Sequence, residues 1–131
     1  MYVLDTNTLI YFFKGLGGVS KRVLALPPKQ ISIPSIVLYE LEVGIARSTS
    51  PKKRRKQLED FTSLVKVLPF GTEEARSAAS IRVDLEKKGR PIGPYDILIA
   101  AVAMTNQFIL VTRNTAEFSR IKGLRLENWY D

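Results

Sequence analysis

Short apolar runs alternate along the chain with longer stretches in which apolar residues recur at helical spacing. The short runs predict β-strands, and the longer stretches predict helices. We predict strands at residues 1–4, 30–33, 66–69, 108–112 and 125–127. We predict helices at residues 6–14, from 20 to the Pro27-Pro28 pair, 34–46, from about 51, 72–88, and from the Gly93-Pro94 pair. This alternation is typical of an α/β fold with a mainly parallel central sheet.

The length and the segment pattern favour a single domain over residues 1–131. No internal repeat and no linker rich in Pro, Gly or Ser divides the chain. The longest wholly apolar run, Ile97 to Met104, is eight residues long, far short of the roughly 18 residues that span a membrane. The first residues lack the basic and apolar regions of a signal peptide. We therefore expect a cytoplasmic protein without a membrane segment.

The composition limits the chemistry that is available. The chain has neither Cys nor His, which excludes thiol nucleophiles, zinc sites of the Cys and His type, and histidine general bases. Lys and Arg total 20 against 13 Asp and Glu, a net charge of +7, which favours a polyanion such as nucleic acid as a partner. Many soluble proteins are basic, so the charge alone decides nothing. Catalysis would have to come from carboxylates, hydroxyls, lysine or a bound metal.

Asp5 follows the first predicted strand directly. Ligands of open α/β sheets bind outside the carboxyl ends of strands, so a functional acid is expected at this position. The alternative is that Asp5 only caps the following helix, a role for which Thr6 and Asn7 also compete. We take Thr6 as the predicted N-cap, and both interpretations of Asp5 stay open.

Glu40 lies on the apolar stripe of the predicted helix 34–46, whereas Glu42 projects toward the opposite, solvated side. A carboxylate aimed at the core is costly unless it is protonated, paired with a cation or bound to metal. The alternative interpretation is a salt bridge to one of the many Arg or Lys residues.

Asp96 lies in the first turn of the helix that Gly93-Pro94 begins, and a wholly apolar run follows it. Its alternative role is to complement the helix dipole, which is favourable for any acid at this position. A functional role is favoured because three acids, Asp5, Glu40 and Asp96, are all predicted at strand ends or within apolar surfaces.

A fourth position follows the predicted strand 108–112. Asn114 offers a neutral oxygen ligand, and Glu117 comes three residues later. The alternative is a capping box in which Asn114 takes the place of Ser or Thr. The two interpretations are compatible if the cap also faces the site.

Asp and Glu without His or Cys form a hard, all-oxygen site that suits Mg²⁺ or Mn²⁺. Such ions activate water and neutralise charge on a phosphate, so metal-assisted phosphodiester hydrolysis follows as a hypothesis. The chain has no Walker A loop, no dinucleotide-binding glycine motif and no nucleophile elbow. An acidic pocket in a basic surface suits a nuclease.

Four short motifs stand in the order and spacing found in PIN-domain ribonucleases. They are Leu4-Asp5-Thr6-Asn7, Tyr39-Glu40-Leu41 with Gly44, Pro91 to Asp96 leading into Ile99-Ala100-Ala101, and Leu110 to Asn114. The chain resembles this family over nearly its whole length, and most closely the VapC-type toxins. The resemblance implies a three-layer α/β/α sandwich with a central, mainly parallel sheet. It also implies Mg²⁺- or Mn²⁺-dependent endoribonuclease activity and the role of toxin in a toxin–antitoxin (VapBC) pair.

Under this resemblance, individual residues take the family's roles. Asp5, Glu40 and Asp96 match its metal-binding acids. Asn114 stands where many PIN domains carry Asp, which puts a second metal in doubt, although Glu117 could supply the charge. Three further residues match family positions that orient the acids or a water molecule: Thr6, Asn7 and Thr112.

The resemblance also implies partners. A VapB-type antitoxin is expected to cover the acidic groove with its C-terminal segment and to place an Arg near the metal site. A homodimer is expected, and a heterotetramer or larger assembly with the antitoxin. A basic block suits contact with the RNA backbone, or is simply a solvated basic face. The block comprises Lys52, Lys53, Arg54, Arg55 and Lys56.

Two alternative functions stay open from the sequence. One is a PIN-like module that has lost catalysis and binds RNA or protein, for which Asn114 is the one supporting feature. The other is a DNA nuclease with the same site and a different substrate.

Overall fold

The computed structural model describes all residues, 1–131, and is built on a five-stranded parallel sheet. The strands lie in the spatial order β3-β2-β1-β4-β5. Their bounds are β1 Tyr2–Leu4, β2 Ile31–Pro34, β3 Lys66–Leu68, β4 Ile109–Val111 and β5 Leu126–Glu127. Helices flank this sheet, which confirms the predicted α/β class and layered architecture.

Seven α-helices and one 3₁₀ helix connect the strands. The α-helices are α1 Thr6–Lys14, α2 Val19–Leu24, α3 Ser35–Ala46, α4 Pro51–Thr62, α5 Thr72–Lys87, α6 Pro94–Thr105 and α7 Thr115–Phe118. The 3₁₀ helix is Pro28–Gln30.

β1 occupies the centre of the sheet because both of its neighbours pair with it in parallel. Val3 lies opposite Ser32 of β2 on one side and opposite Leu110 of β4 on the other. The chain fills one half of the sheet with β1, β2 and β3 and then returns beside β1 with β4 and β5. The direction of winding therefore changes between β1 and β4, and the carboxyl ends of these two strands flank a crevice of the kind that binds ligands in open α/β sheets.

The apolar helix predicted from Gly93-Pro94 is the buried helix of the fold. Residues 99–103 of α6 are at most 1% exposed. A helix that is apolar all round is stable only when neighbouring elements surround it. Trp129 near the chain end is also buried, and its ring lies 5.0 Å from that of Tyr2 in an edge-on contact.

Several local predictions need correction. The predicted helix from residue 20 begins one residue earlier, at Val19, and the 3₁₀ helix and α7 were not predicted. Both unpredicted elements are only three or four residues long, too short to show a period. Asp5, not Thr6, is the N-cap of α1: it has extended backbone angles, and its Oδ1 accepts the Thr8 N–H at 2.9 Å. Thr6 is the first helical residue.

No helix of the structure combines the length and the apolarity that crossing a membrane requires. The cytoplasmic location stays a prediction.

Candidate active site

The candidate site lies at the crevice between the carboxyl ends of β1 and β4. Asp5 directly follows β1, and its backbone N–H donates to the carbonyl of Val111, the last residue of β4, at 3.2 Å. The Thr8 hydroxyl donates to the same carbonyl at 3.1 Å, so the start of α1 is fastened to the end of β4. Two hydrogen bonds therefore join the start of α1 to the end of β4 at this crevice.

Asp5 is a buried acid, with 6% of its surface exposed. Burial raises its pKa above the ordinary value, and hydrogen bonds from Thr112 and Thr8 oppose that shift. The capping role and the site position are thus combined in one residue, because the same carboxylate caps α1 and faces the end of β4. A buried carboxylate of this kind favours a cation nearby.

Glu40 is held by a hydrogen bond across the site. It lies in α3, which follows β2, and its Oε1 accepts the Thr6 hydroxyl at 2.7 Å. It takes part in none of the five ion pairs of the protein, so the alternative of a salt bridge is not realised. Glu42 instead pairs with Arg55 at 2.9 Å on the exposed side of the helix, as its predicted orientation required.

Asp96 completes the group of acids from the first turn of α6. Partial burial raises its pKa from 3.8 to about 6, and the charges of Asp5, Glu117 and Glu40 contribute to the shift, in that order. Asp5, Glu117 and Glu40 therefore lie near enough to Asp96 for their charges to disfavour its ionised form. No three of the four carboxylates converge closely enough to enclose an ion by themselves.

This open arrangement suits a hydrated magnesium or manganese ion better than an ion that protein ligands enclose completely. Mg²⁺ keeps several of its waters and is commonly held by only one or two carboxylates. The donors at this site are all oxygens, and the two acids with raised pKa values, Asp5 and Asp96, would be relieved by a divalent cation. The residues present therefore suit the hard cation that the sequence predicted.

The fourth position contains Asn114 and Glu117, but the predicted capping box is not formed. Glu117 accepts the side-chain amide of Asn114 at 3.1 Å, and the Asn114 backbone N–H donates to Thr112 Oγ1 at 3.0 Å. A capping box would need that backbone N–H to donate to Glu117. Thr112 takes the N–H because it precedes Asn114 by two residues, which leaves Glu117 to orient the amide instead.

A cavity of about 290 Å³ opens beside Asp5. Its lining residues are Asp5, Asn7, Tyr11, Arg113 and Asn114. Asn7 and Asn114 therefore line the same opening as the buried acid. Arg113 was not assigned a role from the sequence, although it stands between Thr112 and Asn114 in a motif that was singled out.

The basic block Lys52 to Lys56 does not act as one unit, because the structure distributes its five cations along α4. Arg55 pairs with Glu42, and Lys56 pairs with Asp60 at 3.0 Å. Lys52 and Lys53 are exposed, and Arg54 lines a groove that also contains Glu40. Only one member of the block therefore shares a groove with a candidate site acid. RNA binding by the block stays a prediction.

Two exposed tyrosines border the acids. Tyr39 and Tyr95 directly precede Glu40 and Asp96, and they are 53% and 45% exposed. Their rings lie 5.8 Å apart, and their hydroxyl oxygens are 3.5 Å apart. The recurrence of Tyr before an acid was visible in the sequence, but only the fold shows that the two rings meet.

The model of the family described as "PIN domain" matches residues 2–124. The chain belongs to the PIN-domain family. Relatives of this PIN domain include the tRNA(fMet)-specific endonuclease VapC of Salmonella typhimurium, 38% identical over 98% of this chain and 97% of that protein. Ribonuclease VapC1 of Rickettsia felis is 44% identical over 95% of this chain and 92% of its own length.

Solved structures agree with the family assignment. The VapBC2 complex of Rickettsia felis, bound to a DNA fragment from its promoter, contains a chain that matches this PIN domain with a TM-score of 0.91. That match is 35% identical and covers 98% of each chain. The predicted PIN fold is therefore confirmed over nearly the whole length.

Proposed function

We propose that this protein is a divalent-metal-dependent endoribonuclease and the toxin of a toxin–antitoxin pair. The observation that carries the proposal is the grouping of carboxylates around Asp96: the charges of Asp5, Glu117 and Glu40 help to raise its pKa, and Asp5 itself is a buried acid with a raised pKa at the end of β1. The names of the relatives support the activity, since several are ribonucleases named VapC. The net charge of +7 suits a polyanionic substrate.

Asp5, Glu40 and Asp96 are the residues we assign to a Mg²⁺ or Mn²⁺ ion. When bound, such an ion lowers the pKa of a water and neutralises charge on the scissile phosphate. The chain's own groups prepare the site before the ion arrives. Thr8 and Thr112 hold the Asp5 carboxylate, and the Thr6 hydroxyl holds Glu40.

Asn114 and Glu117 form the outer part of the same site. The hydrogen bond between them keeps the Asn114 amide beside the cavity. Glu117 adds negative charge that helps to raise the pKa of Asp96. A neutral Asn holds a cation less strongly than a carboxylate would. We therefore assign one ion to the three acids, with a second ion held only weakly if at all.

The partner that we propose for this protein is a VapB-type antitoxin. The solved relatives from Rickettsia felis and Salmonella typhimurium are VapBC complexes. By analogy, the C-terminal segment of an antitoxin would cover the acidic groove and block access of RNA. A homodimer, and a heterotetramer or larger assembly with the antitoxin, complete the proposal.

Cleavage of RNA by the antitoxin-free protein tests the proposal. The substrates are a pool of structured RNAs that includes an initiator tRNA, with matched single-stranded DNA beside it. Reactions contain Mg²⁺, Mn²⁺ or EDTA. The Asp96→Asn variant is compared with Asp84→Asn, which removes a half-exposed acid paired with Lys88 on α5.

Cleavage of RNA that requires metal, is lost in Asp96→Asn and is retained in Asp84→Asn is the expected result. Equal activity of Asp96→Asn would show that the assigned site is wrong. Binding of RNA without cleavage under any condition would support the inactive module that Asn114 first suggested. Preferential cutting of DNA would point to a DNA nuclease.

A further inference from the structure

Arg113 is a cation fixed at the edge of the Asp5 cavity by aromatic rings. It directly follows Thr112 at the carboxyl end of β4. Its guanidinium carbon lies 3.6 Å from the centre of the Tyr130 ring and 5.7 Å from that of Tyr11. The two rings also contact each other edge-on, with their centres 4.8 Å apart. A guanidinium stacked at this distance is held by cation–π attraction.

The ring that holds Arg113 is itself anchored. The Gly18 N–H donates to the Tyr130 carbonyl at 2.9 Å. Gly17 has a φ of +62°, and a Cβ there would lie 2.7 Å from both the ring and the carbonyl of Tyr130. The turn between α1 and α2 therefore requires glycine for two reasons: its backbone angle and its close approach to the C-terminal tail. The turn between α1 and α2 thus holds the Tyr130 ring on which Arg113 stacks.

The edge of the Arg113 guanidinium is available to an anion. The residue is exposed and takes part in none of the five ion pairs of the protein. It nevertheless lines the same cavity as the buried Asp5. The Arg113 side chain also meets the Tyr11 side chain in a hydrogen bond. Stacking on Tyr130 uses only the face of the guanidinium, and a guanidinium has five N–H donors, so N–H groups remain that can donate to phosphate oxygens.

The lining of the cavity explains why a phosphate would bind there. Asp5 repels an anion, so RNA needs a positive group close to the acids to bring its backbone near them. Arg113 is the one cation among the lining residues, and the amides of Asn7 and Asn114 add neutral donors. A cation held away from direct contact with Asp5 attracts a phosphate without neutralising the acid.

We propose that Arg113, stacked on Tyr130 and Tyr11, binds a backbone phosphate of the RNA and so positions the scissile phosphate against the acids. This inference rests on the proposed ribonuclease function and names a residue that contacts its substrate. In the competing interpretation, Arg113 only pins the C-terminal tail to α1 and has no contact with RNA.

The test measures binding of a fluorescent single-stranded RNA in EDTA, where the strand stays intact, over a series of salt concentrations. The variants are Arg113→Ala, Arg113→Gln and Arg113→Lys. Arg82→Ala is the matched control, because it removes the same charge from α5, outside the Asp5 cavity. Thermal unfolding is recorded for each protein, and Arg113→Gln replaces Arg113→Ala if the latter does not fold.

Loss of one phosphate contact should weaken binding about tenfold or more and reduce the slope of log K against log salt by about 0.7, the value for single strands. Arg113→Lys should keep the slope but bind less tightly, because it lacks the planar fork. Tyr130→Phe keeps the ring and should bind like the wild type, whereas Tyr130→Ala should bind more weakly.

Binding and a salt slope for Arg113→Ala that equal those of Arg82→Ala would overturn the inference. Cleavage by the wild type in Mg²⁺ is measured on the same preparation. If the wild type cuts RNA and Arg113→Ala binds like the control, only the role of Arg113 fails. If the wild type neither cuts nor binds RNA, the proposed function fails with it.

Discussion

Replacing Asp96 with Asn is expected to stabilise the fold at neutral pH while it removes activity. The pKa of Asp96 is raised from 3.8 to about 6, chiefly by burial and then by the charge of Asp5. Above pH 6 the carboxylate is charged in both the folded and the unfolded protein, and the folded state bears the penalty. Asn has nearly the same shape and carries no charge, so it escapes that penalty.

The magnitude follows from the shift. Each pKa unit corresponds to about 1.4 kcal/mol, so a shift from 3.8 to about 6 corresponds at most to about 3 kcal/mol. Asp96 is only half buried, and solvent screening reduces this figure to about 1.5 kcal/mol. Its favourable position in the first turn of α6 offsets about 0.5 kcal/mol. A gain of about 1 kcal/mol in the free energy of unfolding remains.

The sign of the pH dependence is fixed by the same values. Below pH 3.8 the carboxyl is protonated in both states and the penalty vanishes. The difference in unfolding free energy between Asp96→Asn and the wild type should therefore grow as the pH rises from about 4 to 6, and stay constant above that. Urea denaturation at several pH values in EDTA measures it.

Asp84→Asn is the control for this measurement. It removes a half-exposed acid whose partner is Lys88 at 2.9 Å, and it should lower stability by about 0.3 to 0.5 kcal/mol. If Asp96→Asn were no more stable than the wild type at pH 7, or if the difference did not change with pH, burial and the neighbouring acids would not raise the pKa of Asp96 as described.

Three further predictions concern the hydrogen bond to Glu40, the turn at Gly17 and the binding of Mg²⁺. Thr6→Val should slow cleavage about tenfold, with little change in stability, because Glu40 loses its 2.7 Å hydrogen bond; Thr6→Ser should restore the rate. Gly17→Ala should destabilise the protein by at least about 1 kcal/mol more than Gly15→Ala in urea denaturation, because both have positive φ but only Gly17 abuts the C-terminal tail. Saturating Mg²⁺ should raise the Tm of the wild type and not that of Asp96→Asn, and equal shifts would place the ion elsewhere.

The order of strands and helices could be predicted because each long element carries its own period. The buried run after Asp96 and the apolar strand 108–112 are examples in which local sequence and final burial agree. The 3₁₀ helix and α7, three and four residues long, are too short for a helical pattern to repeat. The N-cap of α1 was assigned to the wrong residue because Asp5, Thr6 and Asn7 are all good caps, and only the contact with Thr8 distinguishes them.

Asp5 and the fourth position were predicted for a topological reason, whereas Glu40 was predicted from the apolar stripe of its helix and Asp96 from its place before an apolar run. The carboxyl ends of parallel strands meet at one edge of the sheet, so Asp5 and the residues after β4 were expected to lie near each other. The stacking of Arg113 on Tyr130 could not be predicted because Tyr130 is remote in the sequence and belongs to no recognisable motif. The pairing of Arg55 with Glu42 was likewise invisible, since it depends on how α3 and α4 pack.

The most direct test of the account is the rate of RNA cleavage as the Mg²⁺ concentration is raised from zero, measured for the wild type and for Asp5→Asn. Asp5 lies at the end of the central strand and is the most buried of the acids that face the crevice. The account predicts a rate that rises with Mg²⁺ and saturates for the wild type, and no cleavage by the variant at any concentration. Cleavage that is independent of Mg²⁺, or equal in the two proteins, would contradict it.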